Sequence, residues 1–504
     1  MNDKTFASTP SVPKTSTLVP KQRDWAKDLL SIPSDGVSEL TRLATLAAGP
    51  FHVLNTQVFR QNLNAFAAVC ERHGVDSHIY FAHKANKSAC WIPAVAEEGH
   101  RVDVASGEEL TGALGAGVCA ADLVVTGAEK SQSLLTLALR QRVLIAVDSP
   151  SELFRINSLA KDLGVVDAPV LIRLLPEEQP ETRFGTSMAQ WLRELEALRE
   201  QSSNGIDCRG VTFHLNGYSP AQRNRQAHKA LDFMEILRIK GWTAEMLDIG
   251  GGFSVQYCEP SQWEMFREKV IDSPDKRDYF HSGRIPEGLY PYGGQGNDGP
   301  EMLDEILSGV ANSPSVERID KTSTSLAERL KNGRFQLAIE PGRAALDGCG
   351  LSVFPIQGVK WRDDYIIITV AGLSMSLSEQ WKGSEYMPDM TLWENPGSDD
   401  GANYMGRPSG GSNCLSRSVG VCVGGSSCME YDMLTWRKVQ MNRIPRVGDL
   451  VIYHNTAGYQ MDKNESEFHQ IRLPMRFVWE GRGSLPKGLY IGNWFKCVIG
   501  VCHD

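Results

Sequence analysis

The stretch HIYFAHKANKSACWIPAVAEEGHRVDVASGEELTGALGAGVCAADLVVTG, residues 78–127, decides the fold. It contains three short runs rich in β-branched residues, HIYFA (78–82), HRVDV (100–104) and DLVVT (122–126), whose starts lie 22 residues apart. Each interval has room for a turn, a helix of about three turns and another turn, so the segment predicts βα units. Working outward, the rhythm continues through VLIAV (143–147), VLIRLL (170–175), GVTFHL (210–215), EMLDI (245–249) and FQLAIE (335–340). Eight such runs predict an α/β fold with parallel strands closed into a (β/α)8 barrel. The interval before the eighth run is far longer, and its middle, SGRIPEGLYPYGGQGNDGP (282–300), is dense in Gly and Pro. An insertion over about 258–330 on the loop after the seventh strand is expected, with a helix near EMLDEILSGV (301–310).

Beyond Arg343 the pattern changes to short strands separated by turns: GLSVFPIQGVKW (350–361), YIIITVAG (365–372), GDLVIYHN (448–455) and KGLYIGNWFKCVIGV (487–501). The barrel is therefore assigned to 49–344 and a C-terminal β-domain, sandwich or barrel-like, to 345–504. Within the β-domain, SGGSNCLSRSVGVCVGGSSCMEYD (409–432) reads by composition as a loop. Residues 1–48 are expected to form a tail and a segment packing on the β-domain, and the Ser-, Thr- and Pro-rich first thirty residues read as loose.

The 504 residues exceed what one small core needs, and 52 basic against 61 acidic side chains give a net charge of −9. With no basic block, charge-driven binding to nucleic acid or to an anionic membrane is excluded. No apolar run reaches the roughly 18 residues a membrane helix requires. The eleven cysteines include no C-x-x-C pair, which argues against a zinc ribbon, another metal site or a disulfide framework and points to a reducing, cytoplasmic setting.

A barrel of this kind carries its site at the C-terminal ends of its strands. There the sequence places Lys84, then Asp103 and Ser106, Thr126 and Lys130, Asp148, Arg173, His214, Gly250-Gly251-Gly252 and Glu340-Pro341-Gly342-Arg343. Three consecutive glycines let backbone N–H groups approach an anion, although a flexible turn would look the same. Lys84 is either the partner of Asp103 or Glu340 or a desolvated, neutral Schiff-base nucleophile. His214 is either a structural histidine or a flat ring that stacks on a planar ligand. Glu340, ending an apolar strand, needs a cationic partner, and a protonated pyridine nitrogen would be one. Lysine, anion cradle and strand-end carboxylate together fit pyridoxal 5'-phosphate.

These residues resemble the fold-type III pyridoxal-phosphate-dependent decarboxylases, the group of the ornithine, diaminopimelate and biosynthetic arginine enzymes, over about 50–470. The resemblance implies an alanine-racemase-like barrel followed by a β-domain. By YFAHKANKS it makes Lys84 the Schiff-base lysine, and by VDVASGEEL it puts Asp103 and Ser106 near the cofactor. By FHLNG it makes His214 the stacking ring, and by DIGGG it makes Gly250, Gly251 and Gly252 the phosphate loop. EPGR then supplies Glu340 for the pyridine nitrogen and Gly342 and Arg343 by the phosphate. RFG (183–185) is similar to the family's K/R-F-G. GSSCMEYD (425–432) makes Cys428 a catalytic thiol acting in the partner subunit's site, which implies a homodimer. NTAGYQ (455–460), followed by ESEFH (465–469), places Tyr459 by the phosphate.

The implied reaction is amino-acid decarboxylation through a Schiff base at Lys84 and a quinonoid, with Cys428 or Lys84 returning the proton. Racemisation or another Cα reaction is the first alternative, against which Glu340 argues because the related racemases place an arginine there. A non-catalytic cofactor-binding protein is the second. Where the family has an acid that reads the far end of a basic substrate, this chain has Met429; Glu430 is displaced by one position, Asp432 matches the last family acid, and Ser426 replaces a proline. With Met429, Glu430 and Asp432 lining the substrate's far end, an atypical, larger or less basic amino acid is expected.

Overall fold

In a computed structural model the described residues are 17–32, 38–200, 205–271, 275–282, 292–294, 296–310, 324–362, 365–377, 385–395, 419–462, 468–480, 489–491 and 495–497. The chain divides into two compact units, Gln57–Ser254 with Asn297–Leu346, and Met1–Thr56 with Val255–Gly296 and Asp347–Asp504.

The first unit is the barrel. Its strands are β1 (Ser77–Ala82), β2 (Arg101–Val104), β3 (Leu123–Val125), β4 (Leu144–Val147), β5 (Ala168–Arg173), β6 (Ile206–Thr212), β7 (Met246–Asp248) and β8 (Gln336–Ile339). All pair in parallel and β8 returns to β1, Ser77 opposite Leu337, to close the ring. All eight expected runs are strands. The sixth starts earlier than its apolar residues indicated, at Ile206, so that Phe213 and His214 lie just past its end. Serines set the helix starts: Ser106, Ser131, Ser149, Ser187, Ser219 and Ser325 are each N-caps whose hydroxyl accepts a backbone N–H of the first turn. Each such cap is worth about 1 kcal/mol and fixes where strand-end loop becomes helix.

The second unit is mostly sheet. Its first strand, Phe51–Leu54, is buried at all four positions and lies between Gly350–Arg362, antiparallel, and Met475–Val478, parallel. Residues 51–54, expected in the barrel, therefore join this sheet, because four consecutive buried residues carry backbone N–H and C=O groups on both edges that need partners. The helices Asp24–Leu30 and Glu39–Ala47 bury Ala26, Leu29, Leu40, Leu43 and Ala47 against Leu351, Val353, Leu450, Ile452 and Phe477. Residues 24–30 are thus a packed helix and not a loose tail; the earlier 1–16 lie outside the described residues. Val419–Gly424, read by composition as loop, is a strand between Tyr365–Val370 and Met433–Met441, with Val421, Cys422 and Val423 buried. The rest of that zone, 409–418, lies outside the described residues.

The insertion is divided between the units. Val255–Gly296 belongs to the sheet unit, where Tyr257 stacks on Tyr292 and the buried Arg437 bonds Asp389 at 2.7 Å beneath the Phe266 ring. The helix Gly299–Ser308 belongs to the barrel unit. Residues 272–274, 283–291, 295 and 311–323 of the expected insertion lie outside the described residues. Among the described residues no helix is long and apolar enough to cross a membrane.

Candidate active site

Strand alternation builds the site floor. Tyr80, Val124, Leu171 and Met246, from the odd-numbered strands, form one interior layer with Ala338, and Leu144 packs against it. Side chains two residues further along a strand point the same way. That step leads from Val124 to Thr126, from Leu144 to Ala146, from Leu171 to Arg173, from Met246 to Asp248 and from Ala338 to Glu340. Thr212 stands in register with Arg173 on one side and Asp248 on the other. Above this rung opens a cavity of about 790 Å³, lined by Lys84, Ala105, Thr126, Ala146, Arg173, Phe184, Thr212, His214 and Glu340, with Gln179, Glu181, Thr182 and Asn216 also on its wall. The size is that of a small-molecule site.

Lys84 sits in a single turn of 3₁₀ helix, His83–Ala85, and its Nζ is 3.1 Å from Oδ2 of the buried Asp103. Thr126 donates to the other Asp103 oxygen. Across the floor, the carboxyls of Glu340 and Asp248 are buried and interact electrostatically. Burial, then the charges of Asp248 and Asp103, push Glu340 well above the carboxylate range, while Lys84 opposes the shift. Burial likewise raises Asp248 to about 6, although the Gly250 N–H at 2.9 Å and the Thr212 hydroxyl at 2.8 Å favour its ionised form. The floor therefore disfavours two negative charges at once.

His214 is exposed to solvent through the cavity but surrounded by protein. That enclosure, followed by the positive charges of Lys84, Arg223 and Arg173, pushes its pKa down to about 3, and the ring is neutral. Arg173 is 3.5 Å from Asp148 and lies over the Phe184 ring at 4.3 Å. Gly185 of the RFG motif has φ +80° and donates its N–H to Asp148 at 3.1 Å. Gly250 and Gly252 have φ +67° and +79°, and a Cβ on Gly250 would come within 2.7 Å of the Phe213 carbonyl. The turn thus requires glycine for its shape and is not a flexible spacer.

Ser106 caps its helix through the Glu109 N–H. Gly342 and the buried Arg343 lie in the turn after β8. Lys130 is engaged away from the cavity, in a buried ion pair with Glu152 at 3.0 Å. Asp248 and Arg223 were not singled out from sequence. Asp248 ends the apolar run MLDI just as Glu340 ends LAIE, and that likeness was the available signal; Arg223, in the charged helix segment PAQRNRQ, offers none.

The remaining candidates belong to the sheet unit. Cys428 is exposed, its Sγ 3.1 Å from His469 Nε2. Met429 is 56% exposed, and Glu430 bonds His281 at 2.7 Å. Asp432 is buried and accepts the backbone N–H groups of Ser374 and Ser427 at 2.7 and 3.1 Å. Tyr459 is half-buried in a left-handed conformation, φ +66°. Phe468 and His469 end the ESEFH motif, whose residues 465–467 lie outside the described residues.

An amine, a buried carboxyl pair that a cation would relieve, a neutral flat ring and a glycine turn backed by a buried guanidinium fit pyridoxal phosphate. Among the described residues no group of three or more His, Cys, Asp or Glu converges as a metal site. Comparison with known proteins bears on the same point. Residues 57–284 match the family model of the pyridoxal-dependent decarboxylase pyridoxal-binding domain. The uncharacterized protein y4yA of Sinorhizobium fredii is 32% identical over 442 residues, 86% of this chain and 90% of that one. The diaminopimelate decarboxylase of Bacillus subtilis is 27% identical over 263 residues, 49% of this chain and 60% of that enzyme. A diaminopimelate decarboxylase from M. jannaschi shares the fold, with a TM-score of 0.66 at 17% identity, covering 94% of this chain and 96% of that one. The chain belongs to the fold-type III pyridoxal-phosphate-dependent decarboxylases. It is accordingly a carboxy-lyase, and its cofactor is pyridoxal phosphate.

Proposed function

We propose that this enzyme decarboxylates an amino acid whose far end is not read by a carboxylate of the 428–432 loop, with Lys84 as the amine that holds the cofactor and gives way to the substrate. The observation that carries the reading is the placement of Lys84 Nζ, 3.1 Å from Asp103 and electrostatically coupled to Glu340 over the buried carboxyl floor. Bound pyridoxal phosphate supplies the electron sink for the pair released when the bond from Cα to the carboxylate breaks. Asp103 orients the Lys84 amine. Glu340, already poised with Asp248 in a site that disfavours two negative charges, accepts a cation opposite it and then stays ionised. Neutral His214 offers its face without adding charge. Gly250–Gly252 and Arg343 would hold the phosphate, with Ser106 and Tyr459 further members of the binding set.

The proton returns to Cα from Lys84 Nζ or from Cys428 Sγ, the latter supplied by a second copy of the chain in a homodimer. Its thiol must be kept reduced, which suits the cytoplasm. The substrate reading is supported by what occupies the loop: Met429 carries no charge, Glu430 is engaged by His281, and Asp432 is spent on two backbone N–H groups.

The test is an amino-acid panel with the cofactor-loaded enzyme, following CO2 and amine. Turnover confined to ornithine, lysine, arginine and diaminopimelate would refute the altered specificity, and exchange of deuterium into Cα without CO2 would refute decarboxylation. Lys84→Ala should abolish both turnover and the visible absorbance of bound cofactor. Mixing inactive Lys84→Ala and Cys428→Ala chains should restore part of the activity if sites are shared.

A further inference from the structure

Arg223 lies in the helix Pro220–Ile239 of the barrel unit and has no exposed surface. Its Nη1 donates to the Gly252 carbonyl at 3.0 Å, while Nε and Nη2 are buried without a hydrogen-bond partner. The guanidinium stands 5.5 Å from the centre of the Phe253 ring, and among the described residues no carboxylate pairs with it. Burial lowers its pKa to about 10, so it remains charged at neutral pH. A fully enclosed cation with two unused donor atoms costs several kcal/mol and persists where something nearby offsets that cost.

Two observations locate the offset. A Cβ on Gly252 would come within 2.8 Å of Nη2, so the guanidinium lies directly behind the glycine turn. Its field also crosses into the cavity, where it is one of the charges that hold His214 neutral. Two other buried or half-buried cations of the barrel, Lys130 and Arg173, have acidic partners in Glu152 and Asp148.

We propose that Arg223 is the buried counter-charge of the cofactor's phosphate: a positioning residue that pins the Gly252 carbonyl, fixes the glycine turn and neutralises the phosphate dianion from behind without touching it. The chemistry it answers to is a phosphate monoester seated on the turn's N–H groups. Two consequences follow that a purely structural arginine does not share. Removing the charge relieves the cofactor-free protein of a buried cation, and it weakens only ligands that carry the phosphate.

The experiment compares wild-type protein with Arg223→Met and Arg223→Lys after the cofactor is stripped. Pyridoxal phosphate and pyridoxal, which has the same ring and aldehyde but no phosphate, are titrated by absorbance; the thermal midpoint of the stripped protein and the ³¹P resonance of bound cofactor are recorded alongside. Arg223→Met should weaken pyridoxal phosphate by about tenfold to a hundredfold, the worth of one charged interaction, leave pyridoxal unchanged, and leave the stripped protein's midpoint equal or higher. The phosphate resonance should shift toward the monoanion, and Arg223→Lys should fall between. Equal weakening of both ligands, or a lower midpoint with unaltered preference for the phosphorylated form, overturns the proposal. If Arg223→Met does not fold, the ratio of the two affinities in Arg223→Lys decides: an unchanged ratio overturns it as well.

Discussion

Asp248→Asn tests the floor of the site through stability alone. In the folded cofactor-free protein Asp248 titrates near 6, against 3.8 for an unperturbed aspartate. A carboxylate whose pKa is raised by folding contributes nothing below both values. It costs stability progressively as pH rises from the unfolded to the folded pKa, because only the unfolded chain can then release the proton. Above about pH 6 the cost is constant. A shift of about two units corresponds to about 3 kcal/mol. Asparagine keeps the steric frame: its oxygen can still accept the Gly250 N–H, and the Thr212 hydroxyl can turn from donor to acceptor. It also removes the charge that raises Glu340, which acts in the same direction. Urea unfolding of the cofactor-free protein, followed by the fluorescence of the buried Trp91 and Trp191, should show the variant gaining on the wild type by about 3 kcal/mol between about pH 4 and 6.5, with none of that gain lost at higher pH. Parallel curves over the whole range would refute the raised pKa of Asp248.

Other consequences concern the walls. Lys130→Met leaves Glu152 buried and charged, and should cost about 3–5 kcal/mol in an equilibrium unfolding experiment; a loss under about 1 kcal/mol would mean the pair is dispensable. The His214 imidazole should show no titration by ¹⁵N NMR between about pH 5 and 8, since its pKa is held down to about 3; a midpoint near the ordinary histidine value contradicts the site's electrostatics. Gly185→Ala forces a Cβ to within 2.7 Å of the Leu174 carbonyl at φ +80°, and should lower stability by about 1–3 kcal/mol, read as a reduced denaturation midpoint. Wild-type stability in that variant would show the RFG turn to be permissive.

The barrel was legible because each of its strands is an apolar run preceded by its own helix, so local pattern and global topology agree. Where they disagree, reading fails. FHVL at 51–54 has the same local pattern as a barrel strand, but its partners come from 350–362 and 475–478, and no local signal carries that distance. Val419–Gly424 was hidden by the glycines and serines around it. In the site, Lys84, His214 and Glu340 were readable because a reactive side chain ending an apolar run is costly and therefore conspicuous. Arg223 escaped because its sequence surroundings, rich in charge and amide, are those of a solvated helix; only packing reveals that it faces inward.

The pairing of Phe51–Leu54 with Met475–Val478 bears on how the chain is made. The two edges are 475 minus 51, or 424, residues apart. At synthesis rates of about 5–20 residues per second, the first strand waits roughly 20 to 80 seconds for that neighbour. The barrel waits too, since Gln336–Ile339 leaves the ribosome only after the 255–296 excursion into the sheet unit. A nascent chain of this enzyme therefore carries an unpaired edge and an open barrel through most of its translation.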